Sequence, residues 1–491
     1  MDWVVILLTL PLVSCLNGVQ VTNDVTAYLG VPYAKAPIGE LRFKNSELLD
    51  LDEARNYDTV KDVCLEWPYS EGSEDCLYLN IYKHKDTKIP LPTLLYVTNQ
   101  KLSDAKVANL VSSEINVVTA SARSGIFGTL DGSQTTSDIK SIFDFLTVNR
   151  DKFGVASITL WCEEDLAEGC DAALVNLEGK VARAILINGN QLTRTIGREK
   201  FSSIAKSHII TKECNLQCLR KKSTHDLLKL SSSVHQRFFP FGSPFRVEIN
   251  KKMPKTHVDT IYGVYKTAPR GYSSDSNFTS DFTEDSFDLF LASLIPDSLY
   301  TNGALIRRLV KHEYVGSKLS PGNIYSVYSQ LNRILIDRDF LTPTWSLAQY
   351  LKKKAKIYVL EYGIDSPPKN CLQEGGWDDI EPFCNRILGY YTRFARLGSP
   401  AESNCDLQNP SWPHLGSSKR DYFIRLLADG RPDWNFDFHI AALEFWGKLL
   451  PQVRKLVVHD EKNVLESSVE IDLDKVLEEK DHDKTPAHQE L

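Results

Sequence analysis

Three carboxylates in a row, Glu163, Glu164 and Asp165, stand inside the stretch "ITLWCEEDLAEGC", residues 158 to 170. They follow a strand-like run, "ASITLW" from 156, and precede a helix-like one, which places them at a strand-to-helix turn. A carboxylate there has two readings. As a nucleophile, Glu164 or Asp165 would attack an electrophilic carbon and form an ester intermediate, which a base-activated water must then cleave. As a structural feature, the acidic triplet is a solvated turn at a helix N-terminus, where the macrodipole favours negative charge by ~0.3–1 kcal/mol. The solvated turn is the expectation. A serine on a Gly-x-Ser-x-Gly turn is not available, since that pattern occurs nowhere in the chain.

The elements that would position such a turn are legible around it. Apolar runs rich in β-branched and aromatic residues read as strands: "LYLNIYKH" from 77, "TLLYV" from 93, "INVVTAS" from 115, "RAILING" from 183 and "AKIYVLEYG" from 355. Between them "SDIKSIFDFLTVNRDKF" from 137 spaces Ile139, Ile142, Phe143 and Leu146 as one face of a helix. Strands alternating with helices predict an α/β domain, a large and mainly parallel central sheet flanked by helices on both faces. With 491 residues, 42% of them hydrophobic, the chain has ample material for such a core. A net charge of −7 without basic runs excludes nucleic acid as the expected partner.

The termini read as an address. Residues 1–18, with an apolar run from Trp3 to Val13, suit a secretory signal peptide. Residues 19–456 form one domain, and 457–491 an acidic polar tail ending in "HQEL", similar to an endoplasmic reticulum retention signal. The expected location is therefore the endoplasmic reticulum lumen, with secretion as the alternative and with no transmembrane segment. Asn277, in "NFT", is a glycosylation acceptor. Without Cys15, which the signal peptide would remove, Cys64, Cys76, Cys162, Cys170, Cys214, Cys218, Cys371, Cys384 and Cys405 form an odd set in an oxidising compartment. They lack the paired spacings and nearby histidines of a zinc site, so no metal and no cofactor are expected.

The motifs, taken together, resemble a known family. "YLGVPYAKAPIGELRFK", Tyr28 to Lys44, and "SEDCLYLNIY", Ser73 to Tyr82, are similar to motifs of the type B carboxylesterase and cholinesterase family. The likeness continues through "RSGIFGTL" at 123, "KFGVASITLW" at 152, "DRDFLTP" at 337, "YYTRFARLGSP" at 390 and "EFWGKLLP" at 444. It implies the α/β-hydrolase fold, with Glu164 at the position of the family's serine nucleophile and Cys162 and Leu166 at its flanking glycines. It also puts Thr98, Asn99, Gln100 and Lys101 at the oxyanion turn and Ala268 at the triad acid. The triad histidine would belong to residues 363–383, yet none of the 11 histidines lies between His312 and His414.

The resemblance is thus closest to the family's non-catalytic members, such as neuroligin, neurotactin and the esterase-like domain of thyroglobulin. What it implies is a chain that is not an enzyme: a luminal binding or folding-assistance protein with a protein partner, a homo-oligomer being one form left open. The alternatives are a hydrolase using a carboxylate at the elbow and a secreted adhesion or ligand-carrier protein. The family's first two disulfide loops imply Cys64–Cys76 and Cys214–Cys218. Cys162 and Cys170 have no family counterpart and are either bridged or free core thiols. With side chains in place of the flanking glycines, the turn at Glu164 is expected to have relaxed and the pocket mouth above it to be filled or reshaped.

Overall fold

The computed structural model describes residues 16–66, 71–193, 198–211, 214–238, 245–247, 257–266, 284–297, 300–316, 324–364, 371–374, 380–401 and 411–455. Ala268, Asn277, Cys15, Cys405 and the tail from 457 lie outside the described residues. Asn17 and Gly18, which the sequence reading placed at the end of the signal peptide, are already paired in the first strand.

Twelve strands form the sheet: β1 (Asn17–Gln20), β2 (Val25–Pro32), β3 (Asn56–Tyr57), β4 (Tyr78–His84), β5 (Leu91–Val97), β6 (Asn116–Ala120), β7 (Val155–Glu163), β8 (Arg183–Ile187), β9 (Asp259–Tyr265), β10 (Ile357–Tyr362), β11 (Phe423–Leu426) and β12 (Pro432–Asn435). Their spatial order is β12-β11-β10-β9-β8-β7-β5-β6-β4-β2-β1-β3. From β6 through β11 every pairing is parallel, while β2, β4 and β12 join antiparallel at the two flanks. The fold is that of the α/β-hydrolases, and its central strands lie where the apolar runs predicted them.

Alternation along each strand divides the core in two. Leu160, Cys162, Leu186, Val264 and Val359 point to one face, where helices α1 (Gln134–Val148), α2 (Glu164–Leu174) and α3 (Thr342–Leu351) cover them with Ile142, Ala167 and Leu347. Tyr96, Trp161, Ile185, Ile261 and Leu360 point to the other, against Tyr391 and Phe394 of α4 (Glu381–Leu397). Strands buried on both faces read as continuous apolar runs, which is why they stood out in the sequence. The parallel strands end together, so β5, β7, β8, β9 and β10 deliver their C-terminal loops to one edge, the usual place for a ligand in such sheets.

Four disulfides staple the described residues. They join Cys64 to Cys76, Cys162 to Cys170, Cys214 to Cys218 and Cys371 to Cys384, with Cα separations of 4.8, 6.5, 5.1 and 5.4 Å. Among the described residues no helix is long and apolar enough to cross a membrane.

Candidate active site

β7 runs to Glu163, and α2 begins at the next residue. At the junction Glu164 has φ +53°, a left-handed conformation that side-chain-bearing residues seldom adopt. This corrects the expectation of a relaxed turn. The strand-to-helix turn is sharp, and it carries a carboxylate at the end of β7. Its neighbourhood is shaped to receive it: a Cβ on Gly189, just past the end of β8, would come within 2.3 Å of the Glu164 carbonyl oxygen, so only glycine permits this close approach. Cys162 and Leu166 do not force the turn open because both side chains are buried in the core under α2, away from the edge.

The solvated acidic turn is corrected at Glu163, and the reason is packing from distant strands. The Glu163 carboxylate lies on the opposite sheet face from Cys162, accepting hydrogen bonds from Tyr96 Oη and Trp161 Nε1, each at 3.2 Å. Tyr265 of β9 adds a third. Tyr96 stacks on Trp161 with ring centroids 3.8 Å apart, and Trp161 in turn meets Tyr391 edge-on at 5.0 Å. Part of Glu163 reaches solvent, but burial of its carboxyl among these rings dominates and pushes its pKa up to about 7. Glu164 and Asp165 are half-buried and occupy the first turn of α2.

A second acid, the half-buried Glu66, lies close to the elbow residue Asp165. Burial raises the pKa of Glu66 to about 7, and the negative charge of Asp165 adds to the shift. Asn99 Nδ2 reaches both Glu66 Oε2, at 3.5 Å, and Ser124 Oγ, at 3.2 Å. Ser124 occupies the N-cap position of the turn Gly125–Thr129 without capping it, and its hydroxyl serves the Glu66 carboxyl instead. Beneath α2, Asp165 and Glu168 both pair with Arg246, Asp165 at 3.9 Å. Deeper still, the Asp171 carboxylate accepts the Gln191 backbone N–H at 2.8 Å, and burial lifts its pKa to about 7.

The loop after β5 has no glycine, as the sequence showed, yet it carries a donor that the sequence reading passed over. Thr98 and Asn99 are buried, and the Asn99 amide projects toward Glu66 and Ser124, one strand over from the elbow. Gln100 and Lys101 of the same loop, with Tyr82, Asp104 and Ser121, border a cleft of about 360 Å³ at the ends of β5 and β6. Its volume is within the range of small-ligand sites.

A histidine and carboxylate do meet on this side of the sheet, although not at residues 363–383. His439, itself at φ +43°, sets Nε2 2.9 Å from Oε2 of the buried Glu361 in β10, and Arg425 reaches the same oxygen at 3.1 Å. Glu361 lies in β10, three strands from β7, so the dyad stands about 14 Å from the elbow at ~4.8 Å per strand. It does not touch Glu164. The signal missed in the sequence was Glu361 itself, a lone acid inside the apolar run "IYVLEY". Among the described residues no group of three metal-ligating side chains converges.

Comparison with known proteins gives this geometry its context. Residues 15–372 match the sequence profile of the carboxylesterase family. Carboxylesterase 5A of Felis catus is 24% identical over an alignment covering 81% of this chain and 86% of its own. The pyrethroid hydrolase Ces2a of Mus musculus is 23% identical, with 88% of each chain covered, and human carboxylesterase 5A is 24% identical, with 81% and 82% covered. These relatives are named as enzymes, and the family points to enzyme activity, so the expectation of a non-enzyme akin to neuroligin or neurotactin is overturned. That expectation rested on motif residues alone, whereas the structure shows a left-handed turn at Glu164 with Glu163 and Asp165 beside it. Over nearly three quarters of its length, and in the architecture of its sheet, the chain belongs to the carboxylesterase family.

Proposed function

We propose that this protein hydrolyses carboxylic esters at the elbow, with the Glu164 carboxylate taking the place of the serine hydroxyl. The observation that carries the reading is the left-handed φ of Glu164 at the end of β7, which presents a carboxylate at the sheet edge. In this reading Glu164, ionised, accepts a proton from water as the water oxygen bonds to the ester carbonyl carbon. The tetrahedral oxyanion collapses, the bond to the alkoxy oxygen breaks, and the proton passes to the departing alkoxide, giving acid and alcohol. The Asn99 amide, which donates to Glu66 and Ser124, is the nearby donor that would turn from one of them to the oxyanion. Glu66, across from Asp165 and half-protonated near neutral pH, is suited to relay that proton from Glu164 to the alkoxide, giving its own proton and taking up the one Glu164 holds. The four disulfides support an oxidising workplace, the lumen of the endoplasmic reticulum.

The test is hydrolysis of p-nitrophenyl butyrate by the purified chain and by Glu164→Gln. General-base catalysis contributes ~10²–10⁴-fold, so Glu164→Gln should lose about that much of kcat. Equal rates in the two proteins would refute the assignment.

A second role, binding a luminal protein partner and assisting its folding, is favoured by one feature of the surface. Phe436, Ile440 and Leu449, within one short stretch, are 45%, 51% and 43% exposed. If they form a docking patch, changing all three to serine should abolish co-purification of luminal proteins while leaving the melting temperature unchanged. Undiminished co-purification would exclude the patch.

A further inference from the structure

We propose that the Cys162–Cys170 disulfide is a positioning clamp that holds the elbow residue Glu164 in its left-handed conformation. The bridge spans eight positions and encloses the whole turn: Cys162 is the penultimate residue of β7, and Cys170 lies on the second turn of α2. Both cysteines are completely buried.

The two ends of the bridge are fixed independently. Cys162 sits in mid-sheet, in register with Val97 of β5 and Leu186 of β8. Cys170 rides on a helix whose next residue toward the elbow, Gly169, is pressed against Thr135 of α1, where an added Cβ would come within 2.7 Å of Thr135 Cγ2. With strand and helix each held, the bridge sets the span between them. Turning Glu164 to negative φ would swing the start of α2 away from the axis of β7 and carry Cys170 off Cys162, so the bridge opposes that relaxation. In the family's pattern glycines at positions 162 and 166 leave room for such a turn. Here neither is glycine, and a covalent link does the positioning. Cys162, Cys170 and Glu164 therefore act as a unit: the cysteines touch no substrate and work through the conformation of the elbow.

This inference rests on the proposed hydrolysis only for its activity readout, and unfolding experiments test it without any substrate. Glu164→Gly and Glu164→Ala both remove the carboxylate, and only alanine resists positive φ. In the bridged protein the clamp enforces positive φ, so Glu164→Gly should unfold at a higher urea midpoint than Glu164→Ala. In a Cys162→Ala/Cys170→Ala background the turn is free to relax, and the order should reverse. Removing a different bridge, by Cys371→Ala/Cys384→Ala, should preserve the glycine advantage.

Glycine and alanine in the same order with and without the Cys162–Cys170 bridge would overturn the clamp. Should the Cys162→Ala/Cys170→Ala chain fail to fold, a Cys162→Ser/Cys170→Ser background takes its place in the comparison, and no advantage of Glu164→Gly over Glu164→Ala in the bridged protein refutes enforced positive φ on its own. In the otherwise unchanged protein, Cys162→Ala/Cys170→Ala should lower kcat on p-nitrophenyl butyrate at least tenfold with KM changed less than threefold. A fall in neither parameter would show that the bridge does not position Glu164 for catalysis. Loss of all ester hydrolysis in the unaltered chain would instead remove the hydrolase reading, leaving the glycine and alanine comparison to judge the clamp.

Discussion

Among the described residues Arg123 and Asp138 form the most completely buried ion pair, 4% and 0% exposed at the side chain. The guanidinium gives Nε to Oδ2 at 2.8 Å and Nη2 to Oδ1 at 2.6 Å, a bidentate pair, and Nη1 reaches the Lys44 carbonyl at 2.8 Å. Asp138 also accepts the Arg123 backbone N–H at 3.0 Å. Burying two charges costs several kcal/mol of solvation, and only this dense set of bonds offsets it. The pair matters to the site because the next residue, Ser124, supports Glu66. Breaking it from one side strands a buried charge, so Asp138→Asn and Arg123→Met are each expected to lower stability by about 3–5 kcal/mol. The double change Arg123→Met/Asp138→Leu should cost clearly less than the sum of the two single losses. Urea unfolding of the three variants measures this, and additive losses would mean that the two side chains do not depend on one another.

The elements divide into those that local sequence determines and those that it does not. β5 through β8 and β10 were readable because each is a β-branched or aromatic run largely buried on both faces, and β4 because its apolar residues alternate, patterns that need no knowledge of their neighbours. The turn between β7 and α2 was misread, since its conformation depends on Cys170 six residues further on and on Gly189 beyond the next strand. The burial of Glu163 was equally hidden. In the sequence it is the first of three acids before a helix, and nothing local separates it from Glu164. In the fold it meets Tyr96 of β5, Tyr265 of β9, Trp161 of its own strand and, through Trp161, Tyr391 of α4. The same holds for the loop after β5, where the missing glycines were visible and the reach of the Asn99 amide to Glu66 and Ser124 was not. Strand identity is a property of a window of residues, whereas a site is assembled from the ends of several strands.

Over the whole molecule these buried acids couple stability to pH. Glu66, Glu163 and Asp171 each have a pKa of about 7, burial being the first cause in every case. In the unfolded chain they would titrate near ~4.3 for Glu and ~3.9 for Asp. Their folded values are raised, so the native state holds protons that the unfolded state has released. The stability they contribute is fully present below about pH 4 and is lost as pH rises through 7. Opposing this, burial lowers the pKa of His257 to about 4, and a histidine buried neutral withdraws stability only as pH falls below its unfolded value near ~6.5. Above pH 6.5, then, the carboxyls act without that opposition, and the melting temperature should fall through pH 7 and level off towards pH 8. Among the described residues the groups that face Glu163 are Tyr96, Trp161, Tyr265, Tyr362 and Tyr391, and none of them supplies a cation to hold it ionised. Glu163→Gln keeps the hydrogen-bonding outline without the titration. It should flatten the slope and raise stability at pH 8 by about 1–2 kcal/mol, after discounting for the solvent at the edge of the residue. Differential scanning calorimetry from pH 6 to 8 on the two proteins decides the matter, and a melting temperature that rises with pH in the unaltered chain, or an unchanged slope in Glu163→Gln, would exclude these acids as the source.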